Sequence, residues 1–202
     1  YPTTAGSRLL QPASPASRSA TVVQRLRTAG AVIVGSTNMT EFAYSGLGLN
    51  PHYGTPQNPW QRGVDGGRIP GGSSSGAAIS VTDGMALAGI GSDTGGSVRI
   101  PSALCGLTGF KPTARRVSMQ GVLPLSLQLD SIGPLAASVA CCATLDAVIS
   151  GQDEVPQLRA ASLQGLRLLA PTNVVLDGLD APVAAGYERA LAAALGDDLE
   201  AG

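Results

Sequence analysis

At 202 residues with a formal charge of −1, the chain is long enough to bury a core and too weakly charged to hold a phosphate backbone by bulk charge, which argues against nucleic-acid binding. Apolar residues make up 44 % and charged residues 13 %, a balance unlike that of a disordered chain, and no apolar run approaches the ~18 residues of a membrane span. Cysteine occurs only at Cys105, Cys141 and Cys142, too few and too clustered for a disulfide framework or a CxxC zinc site; a reducing, cytoplasmic setting fits best. A single histidine, His52, excludes a multi-histidine metal site.

In chain order, Val22, Val23 and Leu26 recur at helical spacing after Ser14, Ser17 and Ser19, and Gly30 stops the helix. The β-branched run Ala31-Val32-Ile33-Val34, closed by Gly35, predicts a buried strand, and a short helix follows over Thr40 to Tyr44. From Gly46 to Gly72 the composition turns to Gly, Pro and Asn, marking a long loop of the kind that carries function. Ser75 to Thr82 reads as a small-residue helix, Met85 to Ile90 as a buried strand, and Gly91 to Gly96 as a glycine-rich turn. Leu107 to Phe110 predicts a strand, Ser138 to Ile149 an apolar helix, Leu166 to Leu169 a strand, and Ala181 to Leu195 an Ala-rich helix. This alternation argues for an α/β layer fold.

Two segments concentrate chemistry: Pro70-Gly71-Gly72-Ser73-Ser74-Ser75-Gly76 and Gly91-Ser92-Asp93-Thr94-Gly95-Gly96-Ser97. Glycine lets such a backbone take positive φ or approach a ligand, and successive N–H groups form a nest for an oxyanion or a phosphate. Either loop alone reads as a flexible turn; two, each ahead of a predicted helix, point to a site. No lysine follows either loop as in GxxxxGK[ST], and Gly89-Ile90-Gly91 matches a dinucleotide turn only in part. A hydroxyl nucleophile with an amide-lined oxyanion pocket is the stronger physical reading.

The run GGSSSG, followed by GSDTGGSVRIPSALCGLTGFKPT from Gly91 to Thr113, resembles the amidase signature family. So do Thr3-Thr4-Ala5-Gly6-Ser7, Leu26 to Ala31, Thr37-Asn38-Met39-Thr40-Glu41-Phe42 and Leu129-Asp130-Ser131-Ile132-Gly133-Pro134, over roughly residues 2 to 151. The resemblance implies a mixed central sheet covered by helices on both faces. The chain would then be a single domain over 1–202, truncated at both ends, with its signature core at about 30–151. It also implies a Ser–cis-Ser–Lys mechanism. Ser97 matches the nucleophile, Ser73 the bridging serine after a cis peptide at Gly72–Ser73, and the N–H groups of Thr94, Gly95, Gly96 and Ser97 the oxyanion hole. Ser74 matches a serine that hydrogen-bonds within the site, while Asp93 and Arg99 flank the loop and could pair to fix its shape.

A serine hydroxyl needs a base, and a lysine serves only if its pKa is depressed from about 10.4. The resemblance places that lysine upstream of Thr3, before Tyr1, so the family's general base is expected outside these residues; Lys111, the single lysine here, belongs to a scaffold stretch and is not expected to replace it. Where the family commonly has Gly-Lys-Thr-Asn, this chain has Gly-Ser-Thr-Asn with Ser36, a change expected to alter packing or a salt bridge rather than mechanism. The expected activity is hydrolysis of a small-molecule carboxamide without metal or organic cofactor, with a homodimer left open. The alternatives are an A-type subunit of a glutamyl-tRNA amidotransferase with its partner subunits, or an inactive fragment that only binds amides or carboxylates. His52 reads as a solvent-facing loop residue, the cysteines as packing, and Tyr53 and Trp60 either as acyl-pocket walls or as loop anchors.

Overall fold

The structure, a computed structural model, describes residues 2–64, 67–159, 162, 165 and 167–195. They form two compact units, one within residues 1–157 and one within 158–202.

In the first unit, β1 (Ala88–Asp93), β2 (Thr108–Gly109) and β3 (Ser131–Ala136) build a sheet of order β1-β3-β2 in which both pairings are antiparallel. The register sets Ala88 against Ala136 and Asp93 against Ser131. Because side chains alternate across a strand, β3 sends Leu135 and Ile132 to opposite faces. Leu135 joins Ala77, Ala78 and Ile79 of α2 (Ser75–Thr82) and Val98 and Cys105 at α3 (Arg99–Cys105) in one apolar cluster. Ile132 joins Ile90, Val117, Val22 and Leu26 of α1 (Thr21–Thr28) and Ile149 of α4 (Val139–Ser150) in the other. The helices therefore cover the sheet from both sides. Arg25 fastens α1 to the end of α4 by donating to the Ile149 carbonyl at 2.7 Å.

Local chemistry accounts for these elements. Ser138 caps α4, its hydroxyl accepting from the Cys141 N–H at 3.2 Å, and Gly151 ends it at φ 78°. Pro101 sits in the first turn of α3, where no intrahelical donor is needed. In β1, Gly89 and Gly91 admit α2: a Cβ on Gly89 would lie 3.0 Å from Ala77 Cβ, and one on Gly91 would overlap Ser74 Oγ. The Gly-x-Gly spacing is thus explained by close helix–strand packing.

The sequence misplaces several elements. Residues 31–34 form no strand, and Val32 and Val34 are 84 % and 72 % exposed. A β-branched run becomes a strand only beside a pairing edge, and no described strand lies along it. The strand expected over Met85 to Ile90 begins at Ala88 instead, because the Met85 and Ala86 N–H groups still donate to Ser80 O at the end of α2. The helix expected over Thr40 to Tyr44 is a single 3₁₀ turn, Glu41–Ala43. Leu166 lies outside the described residues, and 167–169 take no regular structure. The sequence predicts no strand over β3, which contains Gly133 and Pro134, two residues depleted in strands.

In the second unit α5 (Ala181–Leu195) forms where the Ala-rich pattern predicts it. No described helix is long and apolar enough to cross a membrane. Among the described residues no cluster of three His, Cys, Asp or Glu side chains could hold a metal ion.

The cysteines are free: Cys105 and Cys142 are buried and Cys141 is exposed. Burial pushes the Cys105 thiol up to about 11 and raises that of Cys142. Iodoacetamide at pH 8 is therefore expected to modify Cys141 first, one thiol per folded chain; equal labelling of all three would contradict this packing.

Candidate active site

The β1–β3 ladder delivers the second serine-glycine loop. Asp93 closes β1 opposite Ser131, so the next residues outward, Thr94 and Asp130, meet: the Thr94 hydroxyl donates to Asp130 Oδ1. Asp130 Oδ2 accepts from the N–H groups of Leu125 at 2.8 Å and Ser126 at 3.0 Å, tying the loop to residues 125–126.

Asp93 organises the turn from inside. Fully buried, it accepts from Gly96 N–H at 2.7 Å and Val98 N–H at 3.1 Å, and from the Arg99 N–H at 3.3 Å and its Nε and Nη2 at 3.0 Å each. Burial opposes its ionisation, but the hydrogen bonds from Arg99 and the backbone, with the guanidinium charge, outweigh it and hold the carboxyl below the usual aspartate range. The pairing expected between Asp93 and Arg99 is thus a clamp with one end buried and the guanidinium half exposed. Of the N–H groups named as an oxyanion pocket by the resemblance, that of Gly96 donates to Asp93, whereas those of Thr94, Gly95 and Ser97 have no acceptor among the described residues. Gly96 holds φ 141°, a backbone that favours glycine, and the space where a Cβ on Gly95 would project is open.

The first loop lies directly against the second. The Ser74 N–H donates to Ser97 O at 3.2 Å, and Ser73 O accepts from Thr40 N–H at 3.1 Å. The Gly72–Ser73 peptide is cis, as the resemblance implies. A Cβ on Gly72 would stand 2.5 Å from Gly48 N, so only glycine fits there. Ser73 is completely buried, yet its hydroxyl has no hydrogen-bond partner among the described residues; Ser97 is 8 % exposed. Ser74 packs against Gly91 and borders a cavity of about 1140 Å³. That cavity lies mainly against Thr3–Gly6, Ser36–Met39, Ile90–Ser92 and Gly121–Leu125, not against Ser73 or Ser97.

Other candidates fall outside this constellation. Lys111 Nζ donates to Ser131 Oγ at 2.6 Å. His52 Nε2 pairs with Glu41 Oε1 at 3.1 Å, a contact the sequence reading missed. The Tyr53 hydroxyl donates to Ser7 O at 3.2 Å, the behaviour of a loop anchor, and Trp60 is 57 % exposed. Sequence reasoning also overlooked Asn50. Its side chain donates to Gly6 O and Met39 O and accepts from His52 and Tyr53 N–H, joining three stretches. Its place before Pro51 in a loop was the available signal.

The family model described as Amidase matches residues 1–194. The chain is 44 % identical to the A-type subunit of glutamyl-tRNA(Gln) amidotransferase from Anaeromyxobacter sp. (strain K), covering 94 % of this chain and 40 % of that protein. It is 41 % identical to 2-amino-5-chloromuconic acid deaminase of Comamonas testosteroni, covering 84 % and 37 %. Among solved structures, the corresponding glutamyl-tRNA(Gln) amidotransferase protein of Thermotoga maritima superposes with a TM-score of 0.68 at 42 % identity, covering 75 % of this chain and 32 % of that one. Native peptide amidase of Stenotrophomonas maltophilia does so at 0.65 and 39 %, covering 75 % and 31 %. The chain thus spans about 40 % of the length of the curated relatives it matches. A match over residues 1–194 shows that the chain belongs to the Amidase family.

Proposed function

We propose that this protein hydrolyses a carboxamide C–N bond, with Ser97 as nucleophile and Ser73 as the hydroxyl that relays its proton. The observation that carries this reading is the main-chain bond from Ser74 to Ser97, which sets the two serine loops side by side; the buried hydroxyl of Ser73, like that of Ser75, has no partner among the described residues. A buried hydroxyl without a partner is costly, and a hydroxyl can donate and accept at once, as a relay must. Attack of Ser97 Oγ on the amide carbon forms the C–O bond. The carbonyl oxygen turns negative within reach of the Thr94, Gly95 and Ser97 N–H groups, and loss of the protonated amine leaves an acyl-enzyme that water hydrolyses.

The general base in this reading is the family's lysine, not Lys111, which is engaged by Ser131. Lys111→Ala is expected to leave ammonia release from a panel of primary amides within about twofold of the unmodified protein, since it lies outside the proton path. Loss of turnover in a folded Lys111→Ala variant would overturn that assignment. Small carboxamides are the proposed substrates. A role as the A-type subunit of an amidotransferase, in which a partner protein would receive the ammonia, is the second reading, supported by the names of several relatives.

A further inference from the structure

Two carboxylates hold the turn that carries Ser97, and the reaction proposed above assigns no part to the second of them, Asp130. Ser131, the residue after Asp130, pairs with Asp93 in the β1–β3 register, so both carboxylates stand at the same end of the ladder. They grip different parts of the turn. Asp93 accepts from the N–H groups of Gly96, Val98 and Arg99. Asp130 Oδ1 accepts from the hydroxyl of Thr94, at the start of the turn. Asp130 is only 6 % exposed, and its Oδ2 accepts from the Leu125 and Ser126 N–H groups while its own N–H donates to Ser126 O at 3.1 Å. Oδ2 and the main chain thus close the 126–130 turn without Oδ1, so the bond from Thr94 exceeds what that turn needs. A carboxylate anchored in this way is a fixed and charge-assisted acceptor. Thr94 itself is half-buried and Gly95 is exposed, and the N–H groups of both lack a protein acceptor among the described residues. The side-chain bond to Asp130 therefore restrains the part of the turn that Asp93 leaves free.

We infer that Asp130 is a positioning residue for catalysis: through the Thr94 hydroxyl it holds the N–H groups of Thr94 and Gly95 where the carbonyl oxygen of a bound amide becomes negative. The inference rests on Ser97 being the nucleophile, since that atom brings the oxyanion to this turn. Donors held in place ahead of the reaction stabilise charge that exists only in the transition state, so their misplacement lowers kcat and spares KM.

The test compares ammonia release from propionamide by the protein, by Thr94→Val, Thr94→Ser and Asp130→Ala, and by the Thr94→Val/Asp130→Ala double variant. Thr94→Val keeps the shape and the N–H and removes only the hydroxyl; it should lower kcat by ~10-fold or more with KM within about twofold. Thr94→Ser, which restores the hydroxyl, should stay within about threefold of the unmodified protein. The double variant should be no slower than Asp130→Ala, because both changes break one bond. If Asp130→Ala does not fold, the contrast between valine and serine at Thr94 decides alone. Unchanged kcat in Thr94→Val, a loss that falls on KM, a Thr94→Ser protein as slow as Thr94→Val, or losses that multiply in the double variant would overturn the inference. Absence of turnover in the unmodified protein would sink the hydrolase reading instead, and the positioning is then read without turnover from ¹⁵N relaxation. Thr94→Val should lower the order parameter of the Gly95 amide from the ~0.85 of rigid backbone toward ~0.6, and an unchanged value would overturn the positioning as well.

Discussion

Ser97→Ala is expected to lower amide hydrolysis by ~10³-fold or more, to the level of background, and Ser73→Ala by a comparable factor. The two losses should not multiply. Residues that act as one proton-transfer unit fail together, so the double variant is expected to be no worse than either single one. The structural basis is the packing of the loops: Ser74 N–H on Ser97 O fixes their separation, and Ser73 is buried where no other described group engages its hydroxyl. Neither change removes much volume, so thermal midpoints should stay close to that of the unmodified protein. Additive losses in the double variant would mean that the two hydroxyls act in separate steps.

The second large effect is on stability. Asp93→Ala is expected to cost about 3–5 kcal/mol, because it strips the acceptor from the Gly96, Val98 and Arg99 N–H groups and leaves the guanidinium without its counter-charge. Set against a typical total of about 5–15 kcal/mol, that approaches loss of the fold. Asp93→Asn should fare little better, since its amide NH₂ would face donors. The pH dependence has a definite sign. The folded carboxyl titrates below its unfolded value, so the stabilisation is complete above the ordinary aspartate range near 3.9 and is lost as pH falls through the depressed folded value. Denaturant unfolding from pH 7 downward should show the gap between the unmodified protein and Asp93→Asn closing only below about pH 4. A gap that is constant with pH would show that the carboxylate charge contributes nothing.

The chemistry-bearing loops were legible in the sequence because their glycines and serines are dictated locally. Gly72 and Gly91 leave no room for a Cβ, and Asp93 must sit where three N–H groups converge. The helices at 21–28, 75–82 and 139–150 form where helical apolar spacing, a run of small residues and an apolar run respectively predict them. What escaped depends on partners distant in sequence. Pro134 contributes no N–H, yet β3 is the central strand, because its carbonyl accepts from Phe110 and Gly133 gives way to the Phe110 carbonyl. The run at 31–34 has strand propensity and no neighbouring edge, so propensity alone misled. Asp130 stood in a recognised stretch, but its grip on Thr94 follows from the β1–β3 register, which no local pattern displays. The same holds for Gly96, whose N–H donation to the Asp93 carboxylate no local pattern displays.

The most direct measurement is the site of covalent capture by a fluorophosphonate, which loses fluoride to an activated serine, read by tandem mass spectrometry of the peptide from Ile69 to Arg99. That peptide carries Ser73, Ser74, Ser75, Ser80, Ser92 and Ser97. The account predicts one adduct, on Ser97, absent from Ser97→Ala and strongly slowed in Ser73→Ala. An adduct on Ser73 or another serine, or labelling unaffected by Ser97→Ala, would contradict Ser97 as the nucleophile.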